Sequence, residues 1–518
     1  MTSVLIACFV LLLILCYYVM ETKFKYWKQR NVPYLKPLLI FGNYKEYLTL
    51  NKTMFSVVNE IYEQFPNEPY VGAFYGTEPT LILRDPEYIK LVLARDFYYF
   101  NSREIAKYTS KEIWTQSLFF TYGDRWKILR QNLTPIFSSA KMKNMFYLIA
   151  ECSSVFDKVL EKEMQKPKTE LRSVMACYTI DCIGSCVFGI NTNTMTIKED
   201  NPFIQIAEKI FESTTIRGLK LIGRAVWPNL FYMLGCKAFP LEINNFFNQL
   251  IKGVFQARNF KESDRHDFVD IMLRFKRNAY LTGDTIAKYK DESVKRTVLK
   301  IDDVLLCGQC ISLFGAGFET SASALSYILY ELAKHPAAQE KALIEVDEYF
   351  RKNEELSYGC ASENQYLEAC FNETLRIYPL VGVLTRELVE DYVLPSGVSL
   401  NKGVRVHVPV YSLHHDADYF PEPEVFRPER FLDKANIRQF TYMPFGEGPR
   451  ICIGLRFAKM QVMAGLLTVL RKCRVELADG MPRKLRLKKS FEKVFYLPTF
   501  YIYTNPLIHN GPLPLNSR

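Results

Sequence analysis

Residues 445–454 are Phe-Gly-Glu-Gly-Pro-Arg-Ile-Cys-Ile-Gly, and they place Cys452 between a glycine-rich loop and a predicted helix over 455–472. At such a junction, free backbone N–H groups and the positive end of the helix dipole favour a thiolate over a thiol. The glycines allow the backbone to approach a large flat group. The stretch therefore predicts a thiolate ligand beneath a haem, with Phe445 packed beside the ring and Arg450 paired with an acidic substituent.

Two other interpretations of this loop are weaker. Phosphate-binding loops are also rich in glycine, but neither the GxGxxG nor the Walker pattern fits these residues, and no predicted strand leads directly into them. The remaining alternative is a structural cysteine buried in a tight turn.

The same ten residues match the cytochrome P450 haem-binding pattern, Phe-x-x-Gly-x-Arg-x-Cys-x-Gly, at every fixed position. The chain resembles that family over essentially its whole length, and its details resemble insect microsomal detoxification members most. Four further stretches follow the family's order: 126–130 (WKILR), 316–320 (AGFET), 373–376 (ETLR) and 428–431 (PERF). The resemblance implies a mainly α fold with small β regions (α+β), in a single large haem domain that has an N-terminal membrane anchor.

Amphipathic periodicity independently predicts a mostly helical chain. The longest periodic segment, 302–334, predicts a rod roughly 50 Å long that crosses the middle of the domain. Runs of β-forming residues predict a hairpin over 70–84, strands over 386–410 and a terminal strand region near 494–503. Further predicted helices cover 52–65, 86–95, 124–131, 141–163, 171–189, 201–214, 336–350, 361–377 and 455–472.

The N-terminus predicts three segments: a transmembrane anchor over 1–22, a basic, proline-containing linker over 23–37, and a catalytic domain over 38–518. The apolar run 4–20 would reach roughly 26 Å as a helix, just enough to cross a hydrocarbon core. Basic residues follow the run and none precedes it, which predicts a cytosolic catalytic domain on the endoplasmic reticulum membrane. A cleavable secretory signal is the alternative, but its usual charge placement and cleavage site are missing.

Composition and net charge limit the class of protein and the kinds of molecule that it is expected to bind. The 518 residues are 48% hydrophobic and 24% charged, which excludes a mainly disordered chain. The net charge of +10 fits anionic lipid or an acidic protein, while the lack of a dense basic block argues against nucleic acid. The 13 scattered cysteines indicate a reducing compartment rather than a disulfide framework. Two candidate metal pairs, Cys307 with Cys310 and His414 with His415, are both disfavoured by their isolation or their geometry.

The resemblance implies roles for individual residues. Thr320 and Glu319 would form the acid–alcohol pair that passes protons to bound oxygen. A threonine hydroxyl in mid-helix can also bond the carbonyl four residues earlier and open the helix there. Glu373, Arg376 and Arg430 would form a buried structural charge network beneath the cysteine loop. Haem contacts would come from Trp126, Arg130, Ala316, Arg386, Phe445, Arg450 and Gly454, with Cys452 on the iron.

A pocket lined by phenylalanine and aliphatic side chains favours apolar or aromatic compounds. The residues expected to line it are Phe119, Phe120, Phe318, Val381, Leu384 and Phe495. The strongly apolar stretch 216–241 is either a core segment or a surface that dips into the bilayer.

The expected activity is insertion of one oxygen atom from O2 into a lipophilic substrate such as a plant toxin or insecticide. Electrons would come from NADPH through NADPH–cytochrome P450 reductase, with cytochrome b5 as a second candidate donor and haem b as the cofactor. Three alternatives stay open: a haem-thiolate isomerase or dehydratase, a monooxygenase of hormones or lipids, and a non-catalytic carrier. A basic docking patch for the reductase is expected from Lys127, Lys141, Lys143, Arg456 and Lys459.

Overall fold

The computed structural model describes residues 2–104, 108–263, 265, 267–291, 295–483, 485 and 501–506. Helices dominate and the sheets are small, so the predicted α+β class is confirmed. The helices are α1 Thr2–Phe24, α2 Lys45–Leu48, α3 Met54–Gln64, α4 Pro86–Lys90, α5 Gly123–Leu133, α6 Ser139–Glu163, α7 Leu171–Ile183, α8 Pro202–Phe211, α9 Thr215–Val226, α10 Pro228–Met233, α11 Leu241–Ala257, α12 Phe268–Asn278, α13 Lys288–Asp291, α14 Asp303–Lys334, α15 Pro336–Lys352, α16 Cys360–Glu363, α17 Gln365–Ile377, α18 Val410–His414 and α19 Leu455–Lys472.

The strands form four small sheets within the described residues. A four-stranded sheet has the order β1-β2-β9-β6, and its β1–β2 pair is the predicted hairpin. A second sheet has the order β10-β11-β3, while β4 pairs with β5 and β7 with β8. The strands are β1 Tyr70–Tyr75, β2 Glu78–Leu83, β3 Thr169–Glu170, β4 Tyr280–Asp284, β5 Arg296–Lys300, β6 Leu384–Glu387, β7 Tyr392–Val393, β8 Ser399–Leu400, β9 Arg405–Val408, β10 Cys473–Leu477 and β11 Tyr501–Pro506.

Helix α14 is the predicted central rod. It begins after Asp302, whose carboxylate accepts a hydrogen bond from the N–H of Leu305 and so caps the first turn. Its apolar side chains share one large core with those of α6, α7 and α19. By length and composition, Leu171–Phe188 and Asp303–Lys334 resemble membrane spans, but 83% and 67% of their windows are buried inside the protein. They are therefore core helices.

The β4–β5 hairpin was not predicted from the sequence. It lies between α12 and α14 and packs against α5, where the side-chain amide of Asn132 donates to the carbonyl of Thr282 at 3.0 Å. Its sequence signal is weak, because the apolar Val298 faces outward and the polar Thr297 inward, which breaks the apolar–polar alternation of a half-buried strand. The hairpin matters because it covers one face of the helix that carries Trp126.

Candidate active site

The cysteine loop is held by its own backbone. The N–H of Cys452 donates to the carbonyl of Phe445 at 2.9 Å, and Gly454 is the residue before α19. Gly448 has a φ of +72°, and a Cβ there would collide with the carbonyl oxygen of Leu93. Only glycine fits that position, because it tolerates positive φ and leaves room for the neighbouring backbone.

The Cys452 side chain is accessible from a cleft, yet protein surrounds most of it. Burial raises the pKa of its thiol, while the N–H of Gly454 and the guanidinium groups of Arg130 and Arg103 act to lower it. This N–H donor and these cations would stabilise the thiolate form when a metal ion replaces the proton on the sulfur.

The middle of α14 has an accessible strip, called here the open strip, which is formed by Ala316 and Thr320. Ala316 is exposed, although Gly315 and Phe318 on the same helix are buried. The Thr320 hydroxyl donates to the Ala316 carbonyl at 2.7 Å, as the sequence predicted. The helix is nevertheless continuous from Asp303 to Lys334, so this hydrogen bond does not interrupt it.

Glu319 lies against α7 rather than in that open strip. Its carboxylate is buried and pairs with Arg172 at 2.5 Å between Oε1 and Nη2. Burial raises the pKa of this carboxyl, and the nearby Arg172 only partly offsets the effect. The structure therefore gives Glu319 and Thr320 different surroundings, one ion-paired and one accessible.

Four arginines surround the cleft: Arg103, Arg130, Arg386 and Arg450. Burial, together with mutual repulsion, lowers the pKa of Arg103 to about 10 and that of Arg386 to about 9. The same causes hold the pKa of Arg450 well below its ordinary value. Arg450 donates to the carbonyls of Asn101 at 2.7 Å and Thr121 at 2.5 Å, and its guanidinium lies 4.7 Å from the centre of the buried Trp126 ring.

This donor set fits a haem. The Nε of Arg386 and one Nη of Arg450 are buried without a hydrogen-bond partner among the described residues. Buried unpaired donors on clustered cations are costly unless an anionic group accepts from them, and planar guanidinium groups suit carboxylates best. Two propionates and an iron that takes a thiolate would satisfy both the arginines and Cys452.

Arg103 was missed by the sequence analysis. It donates to the carbonyl of Phe119, and its guanidinium lies 4.1 Å from the centre of that phenylalanine ring. No motif surrounds Arg103 in the sequence, so only its position in space identifies it. Arg130 was predicted, and it donates to the carbonyl of Ile451, next to the cysteine, at 2.8 Å.

The predicted pocket residues differ in their accessibility. Phe119 and Val381 are 46% and 45% exposed, and Leu384 is half-buried at the start of β6. Phe120 is buried beside Phe119 with the ring centres 5.1 Å apart. Phe318 packs in the core against other phenylalanine rings, and Phe495 lies outside the described residues.

Beneath the loop, Glu373 and Arg376 form a fully buried pair with Nε–Oε2 and Nη2–Oε1 distances of 2.8 and 2.9 Å. Arg376 also donates to the carbonyls of His414 at 2.8 Å and Pro423 at 2.7 Å. The Nε of Arg430 lies 3.4 Å from Glu373. Phe371 on the same helix stacks 6.2 Å from Phe445, which connects this network to the cysteine loop.

Neither candidate metal pair has a ligand geometry. His414 accepts a hydrogen bond from the N–H of Met443 at 2.9 Å, and burial lowers the pKa of its imidazole to about 3. Cys307 and Cys310 are buried in the core, where burial raises the pKa of Cys307 to about 12. Within the described part of the chain, no three His, Cys, Asp or Glu side chains are grouped to hold a metal ion.

Comparisons with known proteins identify the family of the chain. The family model for cytochrome P450 matches residues 32–503. Cytochrome P450 6B2 of Helicoverpa armigera is 34% identical over 482 residues, which cover 92% of this chain and 93% of that protein. Cytochrome P450 6B5 of Papilio glaucus is 36% identical over 88% of this chain and 94% of its own, and cytochrome P450 6a2 of Drosophila melanogaster is 33% identical over 89% and 91%. The predicted resemblance is confirmed, and the chain belongs to the cytochrome P450 family of haem-iron monooxygenases.

Proposed function

We propose that this P450 is a membrane-anchored enzyme that inserts one oxygen atom into a lipophilic foreign compound, using electrons from NADPH delivered by a flavoprotein reductase. The observation that carries the proposal is the clustering of four arginines around the accessible Cys452. Arg386 and Arg450 are buried, and Arg103 and Arg130 are half-buried. Bound haem would supply the activation of dioxygen, which a cysteine thiolate ligand promotes; this family is the standard example of that effect.

The protein's own groups would hold the cofactor. Cys452 would bind the iron through its sulfur, and Gly454 leaves space beside it, since a Cβ there would lie 4.0 Å from the sulfur. The unpaired N–H groups of Arg386 and Arg450 would donate to propionate oxygens, with Arg103 and Arg130 adding positive charge. Other haem contacts would come from Trp126, Ala316 and Phe445.

Thr320 and Glu319 would transfer protons to the group that is bound at the open strip. The Thr320 hydroxyl is half-exposed at the open strip, so it can pass a proton to a group bound there. The raised pKa of Glu319 means that its carboxyl holds a proton to higher pH than an exposed glutamate does. To deliver that proton the carboxyl must leave Arg172, so this ion pair would compete with proton delivery.

The pocket side chains favour a lipophilic substrate. Phe119, Val381 and Leu384 offer accessible apolar surface, with Phe120 buried against Phe119. An apolar cleft with few polar groups binds apolar compounds. Phe318 and Phe495 remain candidates from the resemblance.

Two exposed apolar regions support attachment to a membrane. The described apolar side chains over 4–19 of α1 are exposed, for example Ile6 at 64% and Phe9 at 61%. Helices α9 and α10 add a second apolar surface with Ile216 at 69% and Met233 at 77% exposed. Amphipathic helices of this kind lie in the membrane interface, so we favour the lipid-contacting interpretation of residues 216–241. The lysines after the anchor would keep the catalytic domain on the cytosolic face of the endoplasmic reticulum.

The expected docking patch needs one correction. Lys127 is buried, and its ammonium group donates to the Tyr289 hydroxyl at 3.0 Å, so it cannot contact a reductase. Tyr289 lies on α13, in the connection between β4 and β5, and this connection covers the lysine. Arg456 and Lys143 are exposed and remain candidates, with cytochrome b5 as a second possible partner for the same charges.

The test measures NADPH consumption by the membrane-bound protein with added reductase, with and without lipophilic compounds. We expect consumption that depends on the compound and an oxygenated product, and Cys452→His should lose both along with the thiolate-specific absorption of the carbon monoxide complex. Rearrangement of a peroxide without reductase would instead indicate an isomerase. Binding without NADPH consumption for every compound would indicate a carrier.

A further inference from the structure

A group of buried polar side chains lies next to Arg103. The Glu104 side chain is buried, and its carboxylate accepts a hydrogen bond from Nε2 of His407 at 2.9 Å. A neutral imidazole that donates from Nε2 accepts at Nδ1, and the Tyr44 hydroxyl lies 2.8 Å from that atom. The guanidinium of Arg405 lies 3.8 Å from the same carboxylate. All four side chains are buried, so these interactions are stronger than they would be at the surface.

The segment 101–104 joins this group to the cleft. The Asn101 carbonyl accepts a hydrogen bond from Nε of Arg450 at 2.7 Å. The Ser102 carbonyl accepts one from the N–H of Glu387 at 2.9 Å, in a bridge between this segment and β6. Strand β6 pairs with β9, which carries the imidazole and the guanidinium just described. The segment is therefore fixed to this sheet by its second residue through the backbone and by its fourth residue through a side chain.

Arg103 lies between those two points, and the other arginines of the cleft repel it. Burial and the charge of Arg130 lower the pKa of Arg103 to about 10. Arg103 in turn acts to lower the pKa of Arg386 and that of Arg450, which shows that the repulsion is mutual. Like charges favour any movement that separates them, so a cation stays in such a cluster only where the structure that carries it is fixed.

The end of the Arg103 side chain has contacts of its own. It donates to the Phe119 carbonyl, and its guanidinium lies 4.1 Å from the centre of that ring. These contacts attach the guanidinium to a residue that is 46% exposed, whereas Glu104 attaches the backbone to a buried strand. A stable position for the guanidinium requires both attachments.

We propose that Glu104 is a positioning residue. Its hydrogen bond with His407 fixes the backbone of Arg103 and so keeps that guanidinium among the arginines that would bind the haem propionates, which slows the loss of haem. The inference rests on the proposed function in placing haem at Cys452. A neutral amide in place of the carboxylate would bind the imidazole N–H less strongly, because charge-assisted hydrogen bonds are stronger than neutral ones.

The change in charge and the change in position have opposite effects on haem. Removal of a negative charge at Glu104 would by itself strengthen the attraction between the arginines and the propionates, and would slow the loss of haem. Faster loss of haem from Glu104→Gln would therefore result from the altered position of Arg103.

The test is a double-mutant cycle between Glu104→Gln and Arg103→Met, and the readout is the rate of haem transfer from the holoprotein to a scavenging protein. We expect Arg103→Met to speed transfer by about tenfold, because a propionate loses a charge-assisted partner. Glu104→Gln should speed transfer by about fivefold in the wild-type background and have no effect in the Arg103→Met background, where no guanidinium is left to position. Two residues that act independently would together speed transfer by about fiftyfold.

Asp181→Asn is the matched control. Asp181 is also a buried carboxylate, and it accepts from the N–H of Thr194 at 2.8 Å and that of Met195 at 3.1 Å. This variant should lower the free energy of unfolding, which urea titration measures, while haem transfer keeps the rate of its background with and without Arg103→Met. The control separates a loss of stability from a loss of position.

Tyr44→Phe removes the hydroxyl next to Nδ1 of His407, and it should act in the same direction as Glu104→Gln with a smaller effect. It takes the place of Glu104→Gln in the cycle if that variant fails to retain haem. The proposal is overturned if both variants transfer haem at the wild-type rate. It is also overturned if they speed transfer by the same factor with and without Arg103→Met.

Haem transfer requires neither substrate nor reductase. A wild-type protein that binds haem but never oxygenates a lipophilic compound would reject the proposed function and leave the result for Glu104 standing.

Discussion

Two clusters of buried charged residues contact the cysteine loop, and they differ in whether the protein itself supplies the opposite charge. In the first, Glu373 and Arg376 satisfy each other and the nearby backbone carbonyls, with Arg430 beside them. In the second, Arg386 and Arg450 repel one another, and no described carboxylate lies within ion-pair distance of them. The protein completes the first cluster alone, whereas the second needs an anionic ligand. Changes in the first should therefore affect folding, and changes in the second should affect haem binding.

The largest effect is expected from Arg376→Ala. It would leave Glu373 charged, buried and without its main partner, which destabilises a protein by about 3–5 kcal/mol. Urea unfolding of the holoprotein and the haem content per chain measure the change. The control is Lys341→Ala, which breaks an ion pair with Glu429 whose side chains are 57% and 42% exposed, and which should change stability by about 1 kcal/mol or less.

Equal stability losses in Arg376→Ala and Lys341→Ala would contradict the assignment of the first cluster as structural. Loss of haem from Arg376→Ala with unaltered unfolding would place that arginine in the second cluster instead.

A smaller effect of a different kind is expected from Arg386→Met. The buried guanidinium is unfavourable in its surroundings, as its lowered pKa of about 9 indicates, so an apolar side chain of similar length should not destabilise the fold. The methionine has neither the charge nor the N–H donors of Arg386, so a haem propionate would lose a charge-assisted hydrogen bond. Haem should therefore transfer to a scavenging protein about tenfold faster. Transfer at the wild-type rate would show that Arg386 does not bind the cofactor.

The sequence predicts one of these clusters better than the other, for a physical reason. Glu373 and Arg376 are one helical turn apart, so their contact is local and a motif contains it. Arg103 reaches the cleft from a segment without any motif, and its role depends on how distant segments pack. Lys127 was predicted to be exposed for the same reason, because the β4–β5 hairpin that covers it has no clear signal in the sequence.

The candidate site can be predicted from the sequence only where its parts are continuous along the chain. The positions of Cys452 and Thr320 follow from a glycine-rich loop and a helix, both continuous in sequence. The ion pair between Glu319 and Arg172 joins two helices. The Glu112 carboxylate accepts a hydrogen bond from the hydroxyl of Tyr232, which lies on α10 and is 120 residues away in the chain. Such pairs cannot be found from periodicity, because the separation of the partners along the chain is set by the whole fold.

The smallest effect on structure, although not on chemistry, is expected from Thr320→Ala. Among the described residues the hydroxyl bonds only its own helix, so its loss should change the free energy of unfolding by about 1 kcal/mol or less. The second cluster is untouched, so haem should be retained. Proton delivery at the open strip would lack its last donor, and less product should form per NADPH consumed, with hydrogen peroxide making up the difference.

Ser326→Ala is the matched control, because Ser326 donates to the Ala322 carbonyl at 2.7 Å on the same helix but is fully buried. It should keep the wild-type product yield. A yield unchanged in Thr320→Ala would assign proton delivery to Glu319 or water, and a yield lowered equally in both variants would indicate a general disturbance of α14.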